Sequence, residues 1–147
     1  MTIYFYAARD AYGCFSNFSD HGITLGDGFW PTTEHYFQAQ KFLGTPHVEV
    51  IRRAKTPNDA ARLGRQRTRP LRADWESVKD DVMRGAVRAK FTQHDDCRRE
   101  LLGTGDAPLV EKTTGDCYWG CGTNGDGKNM LGKILVELRA ELRSNGG

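Results

Sequence analysis

The apolar positions of the chain repeat most regularly in two segments of its second half. One stripe with near-helical spacing consists of Trp75, Val78, Val82, Ala86 and Ala89. The other consists of Leu131, Ile134, Leu135, Leu138 and Leu142. Because residues three or four apart share one face of an α-helix, these stripes predict a long helix over roughly 74–93 and an amphipathic helix at the C-terminal end.

Three shorter helices are predicted from capping signals in the first half of the chain. Thr32 or Thr33 can cap a helix that runs to about residue 43, and Gly44 suits its end. Thr-Pro pairs at 45–46 and 56–57 begin two further helices, since proline is favoured in the first helical turn.

Strand signals are few. Residues 2–6 are rich in β-branched and aromatic side chains, and a short strand is also predicted at 109–112. Residues 23–25 and 29–30 flank Gly26-Asp27-Gly28, which indicates a hairpin with a glycine-containing turn. The predicted class is therefore mainly α, an α+β fold with a small antiparallel sheet.

Composition supports an ordinary globular protein. The chain has 147 residues, of which 38% are hydrophobic and 27% charged, and this length predicts a single domain over 1–147. A net charge of +2 is too small for a general polyanion binder. No apolar run approaches the ~20 residues of a spanning helix, and the N-terminus lacks signal-peptide features, so we expect no membrane association and a cytoplasmic location.

The four cysteines do not form a recognisable metal or disulfide pattern. They are Cys14, Cys97, Cys117 and Cys121. No C-x-x-C is present, and no histidine or cysteine pair at finger spacing completes a site begun by the last two. We therefore expect reduced thiols and no metal.

The first candidate for chemistry is the predicted helix that begins near Thr33. Glu34, Gln38 and Lys41 lie at positions i, i+4 and i+7 and share one face, with the outer two about 10 Å apart along the axis. That separation suits two long side chains converging on a ligand, and Phe37 lies near enough to stack on a ring. The same spacing also fits a solvated stripe on an amphipathic helix. His35 lies off this face, which predicts a core histidine.

The second candidate is the segment 115–132, in which six of eighteen residues are glycine. Such a loop can turn its backbone N–H groups toward an anion, and it leads into a helix N-terminus near Asn129 that would favour phosphate. Asp116 offers a carboxylate and Trp119 a stacking surface. A long surface loop with Trp119 in the core explains the segment equally well.

Two further segments carry weaker signals. Residues 14–18 place a serine and an asparagine between aromatic rings, which can offer an amide to a base or sugar edge. Residues 62–72 contain five arginines, whose guanidinium groups bind phosphate. A turn with core rings and a solvated loop are the respective alternatives.

The order of these motifs resembles that of the YbiA-like (NADAR) family over nearly the whole chain. The segments that carry the resemblance are Phe15-Ser16-Asn17-Phe18, Trp30-Pro31-x-x-Glu34-His35-Tyr36-Phe37-Gln38-Ala39-Gln40-Lys41-Phe42, Trp75 with Val78-Lys79-Asp80, Asp116-x-x-Trp119-Gly120-x-Gly122, and Gly127-x-Asn129-x-Leu131-Gly132 with Arg139. The resemblance implies a mainly helical fold and N-glycosidase activity with no metal or organic cofactor. It also implies one of two substrate groups: ADP-ribose linked to guanine, including guanine in DNA or RNA, or the ribosylamino-pyrimidine phosphates of riboflavin synthesis.

The expected site follows from the motif positions. Glu34, Lys41 and Asp116 are the predicted catalytic residues. The predicted substrate-binding residues are Arg9, Asn17, Phe18, Trp30, Trp119, Gly120 and Asn129. Two mechanisms remain open. In one, Glu34 and Asp116 act as a glycosidase acid and base pair. In the other, Lys41 forms a Schiff base with the ribose while Glu34 moves protons.

The five arginines favour the larger, phosphate-rich substrate, so the expected function is removal of ADP-ribose from guanine. Hydrolysis of the ribosylamino-pyrimidine phosphates is the alternative, and a non-catalytic module that binds ADP-ribose or nucleotides is a further one. The expected partners are the nucleotide substrate itself and ADP-ribosylated DNA or RNA.

Overall fold

The computed structural model describes residues 1–146, and their tertiary contacts divide them into two compact units. Residues 20–90 form the central unit, and residues 1–19 with 91–146 form the terminal unit. The strands are β1 (Ile3–Phe5), β2 (Ile23–Leu25), β3 (Gly28–Trp30) and β4 (Leu109–Glu111). The helices are α1 (Thr33–Gln40), α2 (His47–Arg52), α3 (Pro57–Arg65), α4 (Trp75–Gln93), α5 (Asp95–Gly103) and α6 (Met130–Ser144). The single domain over 1–147 stays a prediction.

The central unit begins with the predicted hairpin. Strands β2 and β3 pair antiparallel, with Ile23 opposite Trp30, and Gly26 in the turn adopts a φ of 66° that disfavours side chains. The hairpin and helices α1 to α4 share one buried cluster. Its members are Ile23, Trp30, Ala39, Phe42, Ile51, Ala60, Ala86 and Ala89. Apolar burial in this cluster is the main force that fixes α1 in place.

The predicted capping signals are confirmed for α1 and α3, whereas α2 begins at His47, one residue after Pro46, and has no side-chain cap. The Thr32 hydroxyl accepts a hydrogen bond from the His35 N–H at the start of α1, and Thr56 does the same for Asp59 at the start of α3. Gly44, just after the turn that follows α1, has a φ of 87°. The caps therefore set where the site-bearing helix begins.

The terminal unit contains the C-terminal helix and a parallel strand pair. Strand β1 pairs with β4, with Ile3 beside Leu109, and the predicted apolar stripe of α6 is buried. Helix α5 was not predicted, because Cys97 and Leu101 are its buried residues and give only one four-residue step. A parallel pair needs a long connection and leaves no turn signal in the sequence.

The mainly helical α+β class with a small antiparallel sheet is confirmed, and the parallel pair is an addition to it. Among residues 1–146, no helix has both the length and the apolar character that crossing a bilayer requires.

Two helical glycines differ in what surrounds them. Gly64, in the last turn of α3, has no room for a side chain, because a Cβ there would overlap Oε1 of Gln38 and lie 2.8 Å from its Cβ. Gly85, within α4, has nothing within 4 Å of the same position. Glycine is less favourable than alanine in a helix, so Gly64 is explained by the close approach of α1.

We expect Gly85→Ala to raise the free energy of unfolding by about 0.5–1 kcal/mol through helix propensity. Gly64→Ala should lower it by about 1–3 kcal/mol, because the new methyl group collides with Gln38. Urea unfolding followed by circular dichroism measures both. An equal gain in the two variants would show that Gln38 moves aside without cost.

Candidate active site

Helix α1 is buried over most of its surface, yet several of the buried side chains are polar. Glu34 is 6% exposed, Gln38 is 3% exposed, and Lys41, which follows the helix, is 7% exposed. Buried charged and amide groups are costly unless they are paired, so their concentration on one helix face is a strong indication of function. The alternative of a solvated stripe is wrong.

Glu34 and Gln38 interact directly one helical turn apart. The Gln38 Nε2 donates a hydrogen bond of 2.6 Å to Oε2 of Glu34. A donor at this distance suits the ionised carboxylate, which accepts only. The opposite atom of the amide, Oε1, is buried and has no hydrogen-bond partner among the described residues.

The Lys41 ammonium lies in surroundings that disfavour its charge. Its Nζ is 5.8 Å from the centre of the Phe37 ring, which in turn packs against Trp75 at 5.2 Å between centroids. Burial lowers the pKa of Lys41 from 10.5 to about 8, and the charges of Arg67 and Arg65 add to this effect while Glu34 opposes it. At pH 7 about a tenth of Lys41 is therefore an uncharged amine, which is the nucleophilic form and far more than an exposed lysine would provide.

Three of the five arginines between residues 62 and 72, namely Arg65, Arg67 and Arg69, have no ion-pair partner in the described part of the chain. Arg62 and Arg72 each pair with a nearby aspartate, and Arg69 donates to the side chain of Gln66. Arg67 donates to a backbone carbonyl of α3 at 3.1 Å, and Arg65 is exposed. Their charges act on Lys41, so both are placed to attract an anion near it.

His35 is the core residue that the sequence predicted. Its ring nitrogens lie 2.7 Å from the Thr32 hydroxyl and 2.9 Å from the Ala54 carbonyl oxygen. Burial lowers its pKa, and the hydrogen bond to Ala54 opposes that shift. Both nitrogens are engaged in holding α1, which leaves neither for chemistry.

Trp30 is also a core residue, which counts against the predicted contact with substrate. It is 1% exposed, and its indole N–H donates to the Leu25 carbonyl at 3.0 Å. The Arg52 guanidinium covers one face of the ring at 3.7 Å, and Tyr36 packs edge-on against it. These contacts account for Trp30 without a ligand.

The glycine-rich loop uses several of its own backbone donors, which counts against the predicted anion cradle at the start of α6. Five consecutive backbone N–H groups each donate to a carbonyl oxygen of the loop. They belong to Gly127, Lys128, Asn129, Met130 and Leu131. Those of Cys121 and Gly122 bond to Glu111 and Thr113. The start of α6 therefore has these donors already satisfied, and phosphate binding there would require breaking the loop.

Asp116 and Trp119 lie within this loop in the terminal unit. Oδ1 of Asp116 accepts hydrogen bonds of 2.9 Å from the N–H groups of both Tyr118 and Trp119. Asp116 is exposed, and Trp119 is half-buried against Tyr118 at 4.9 Å between ring centroids. One carboxylate oxygen of Asp116 is thus committed to shaping the turn.

Asn129 and Gly120 hold the loop on the strand. The Asn129 side chain accepts from the Glu111 N–H and donates to the Leu109 carbonyl, so it continues the edge of β4. A Cβ at Gly120 would collide with Thr113. Both positions are explained by folding, which leaves no free amide on Asn129 for a substrate.

The other predicted binding residues lie near the start of the terminal unit. Arg9 is exposed in a turn, Asn17 is buried, and Phe18 is 37% exposed. Phe18 is therefore available for stacking, whereas Asn17 is enclosed by protein. Their roles remain predictions.

Helical spacing predicted the polar face of α1, but the sequence did not show which groups hold Gln38 in place or lower the pKa of Lys41. No local pattern shows that Gly64, within α3, must be glycine because it packs against Gln38. The sequence also did not show that Arg65 and Arg67, unlike two of their neighbours, lack ion-pair partners among residues 1–146, since this depends on where each guanidinium finds a carboxylate.

Comparisons of the chain with a family model and with single proteins agree on one family. The NADAR domain family matches residues 4–143. The N-glycosidase Npun_R5314 of Nostoc punctiforme is 53% identical over 147 residues, covering 98% of this chain and 94% of the relative. The N-glycosidase YbiA of Escherichia coli is 56% identical over 140 residues, covering 95% of this chain and 88% of the relative.

A solved structure and a longer relative extend this result. The NMR structure of the E. coli protein YbiA matches with a TM-score of 0.91 at 53% sequence identity, over 99% of this chain and 89% of that one. The riboflavin biosynthesis protein PYRR of Zea mays is 44% identical over 155 residues, which are 95% of this chain but 25% of the plant protein. These matches confirm the predicted resemblance and the enzyme class, a hydrolase of N-glycosyl compounds. The chain belongs to the NADAR family.

Proposed function

We propose that this N-glycosidase removes ADP-ribose from guanine by covalent catalysis, with Lys41 as the nucleophile and Glu34 as the proton carrier. The observation that carries the proposal is the buried Lys41, whose pKa is lowered to about 8, on the same helix face as Glu34. Burial that lowers the pKa of a lysine weakens its charge for binding phosphate, whereas it supplies the neutral amine that attack on a carbon requires.

The chemistry follows from the bond to be broken, which joins C1 of the ribose to an exocyclic amine. As the C1–O4 bond opens and C1=N forms, the ionised Glu34 takes the N–H proton of the exocyclic amine and passes it to O4. Neutral Lys41 Nζ then attacks C1, and Glu34 moves a proton from Nζ to the base nitrogen, so that the base departs as its free amine and C1=Nζ forms. Water adds to this lysine imine, and ADP-ribose is released when the C1–Nζ bond breaks.

The two arginines near Lys41 supply the charge that this substrate needs. Arg65 and Arg67 have no ion-pair partner within residues 1–146, and guanidinium groups bind phosphate oxygens in a fork. Because the N–H groups of the glycine-rich loop are engaged, we assign the pyrophosphate to these arginines. Phe18 and Trp119 remain proposed stacking residues for the base, and Arg9 and Asn17 remain proposed contacts.

The acid and base pair of Glu34 and Asp116 is less well supported. Asp116 is exposed and one of its oxygens already accepts two N–H groups. Lys41 would have no chemical role in that route, although its burial is costly.

The second candidate substrate is a ribosylamino-pyrimidine phosphate. The maize relative and a Vibrio vulnificus relative, 41% identical over 143 residues, are named as riboflavin biosynthesis proteins. This substrate also joins ribose to an exocyclic amine, so Lys41 and Glu34 would act in the same way. It carries fewer phosphate groups for the arginines to bind.

Borohydride added during turnover of ADP-ribosylated guanosine should trap the ribose on Lys41, because reduction converts the lysine imine to a stable amine. Mass spectrometry of a digest locates the adduct. The rate of trapping should rise with pH up to about 8, since attack requires the neutral amine.

Lys41→Arg should abolish both the adduct and turnover, and Glu34→Gln should lose most activity. Lys55→Arg, which changes an exposed lysine of the same unit, is the matched control and should trap normally. A Lys41→Arg enzyme with substantial activity and no adduct in the wild type would exclude Lys41 as the nucleophile.

Lys41→Met should raise the free energy of unfolding by about 1–3 kcal/mol at pH 7, because it removes a buried charge. Folding lowers the pKa of Lys41 from 10.5 to about 8, so between these values the unfolded chain binds the extra proton and wild-type stability rises with pH. The advantage of the variant should therefore be largest below pH 8 and fade toward pH 10.5.

Urea unfolding at pH 7, 9 and 10.5 measures this difference. The exposed Lys133→Met is the control, since the Lys133 ammonium keeps its water in the folded protein. A pH-independent gain in Lys41→Met would mean that the burial of the charge is not what limits stability.

A side-by-side assay should give a value of kcat/KM for ADP-ribosylated guanosine at least about tenfold above that for a ribosylamino-pyrimidine phosphate, since a second phosphate adds about 1–2 kcal/mol of charge-assisted bonding. Arg65→Ala with Arg67→Ala should remove most of that preference by raising KM. Arg62→Ala, on the same helix but paired with Asp59, should leave it in place. A preference for the pyrimidine substrate would favour the riboflavin alternative, and tight binding without turnover would favour a non-catalytic module.

A further inference from the structure

Gln38 lies between Glu34 and Lys41 along the chain, and the surroundings of its side chain are unfavourable in two separate ways. Its Oε1 is buried and has no hydrogen-bond partner among residues 1–146. Its side chain also fills the place where any residue other than glycine at position 64 would put a Cβ. A buried unpaired acceptor and a helical glycine both cost stability.

Both costs have one consequence, which is to hold the Gln38 amide against Glu34. The Nε2 lies 2.6 Å from Oε2 of Glu34, and the two side chains are 3% and 6% exposed. The Gly64 backbone packs on the far side of the amide, so the side chain has little freedom to leave. The glycine is not required by backbone conformation, since Gly64 lies within α3.

We propose that Gln38 is a positioning residue that aims the Glu34 carboxylate for proton transfer, and that Gly64 maintains the space this amide needs. The inference rests on the proposed role of Glu34. The side-chain hydrogen bond of Gln38 is with the carboxylate, so its proposed role is exerted through Glu34.

An amide is suited to this task because Glu34 must alternate between two protonation states. The NH₂ group donates to the ionised carboxylate, as the structure has it. After Glu34 takes a proton, the amide can rotate by half a turn, and its oxygen can then accept a hydrogen bond from the Glu34 O–H group. Rotation breaks no other hydrogen bond, because Oε1 has none within the described chain.

The test is Gln38→Met, which keeps length and apolar volume but removes both hydrogen-bonding atoms. Measured on the better of the two substrates, kcat should fall by about tenfold to a hundredfold with KM little changed, because the carboxylate is misaimed. The acid limb of the kcat/KM profile has an upper break near pH 8 from Lys41. Its lower break, where Glu34 takes a proton and the slope doubles, should move to higher pH by about one unit, since the ionised carboxylate loses a donor.

Two controls separate positioning from simple support of the fold. Gln40→Met removes another buried glutamine from α1 and should leave the acid limb where it is. Gly64→Ala keeps the amide but displaces it, so it should lower kcat in the same direction, whereas Gly85→Ala should leave kcat unchanged. Gly64→Ala also keeps the proposal testable if Gln38→Met does not fold.

The outcomes distinguish this inference from the proposed function. An unmoved acid limb and a normal kcat in Gln38→Met, beside an inactive Glu34→Gln, would overturn the positioning role alone. A fully active Glu34→Gln would overturn the role of Glu34 and with it this inference. Equal shifts of the acid limb in Gln38→Met and Gln40→Met would assign the effect to general loosening of α1.

Discussion

The removal of the Lys41 ammonium from water is the constraint around which the central unit is arranged. A lysine that is 7% exposed loses most of its hydration, and it recovers only part of that through Glu34 and the Phe37 ring. Two arginines without ion-pair partners in the described chain add to the penalty. A fold selected for stability alone would place a carboxylate beside each of these cations, so the arrangement is consistent with the proposed binding of phosphate by Arg65 and Arg67.

The same surroundings link substrate binding to the protonation state of Lys41, the proposed nucleophile. A phosphate group held by Arg65 and Arg67 would cancel charge that lowers the pKa of Lys41, so binding and activation oppose each other at this point. Desolvation, the largest cause of the shift, remains when substrate is bound and becomes stronger as water is displaced. Burial, rather than the arginines, must therefore keep the amine reactive in the complex.

The sequence was informative wherever a local rule decides the outcome. Helical spacing placed Glu34, Gln38 and Lys41 on one face, and threonine caps fixed the start of α1. Local rules could not reveal that the amide of Gln38 meets Gly64, because that contact joins residues 26 positions apart. They also could not foresee the parallel pairing of β1 with β4, which depends on a long connection.

The glycine-rich loop shows what amino-acid composition alone does not decide. Glycine density frees a backbone to bind an anion, but the same freedom lets it fold back on itself, and the sequence does not say which occurs. Here the loop carbonyls take the N–H groups at the start of α6, and Asn129 ties the loop to β4 with both atoms of its amide. The loop is thus a rigid support that can present Trp119 at a fixed position. A ring that is already fixed needs no ordering when a base stacks on it, which is what the proposed role of Trp119 requires.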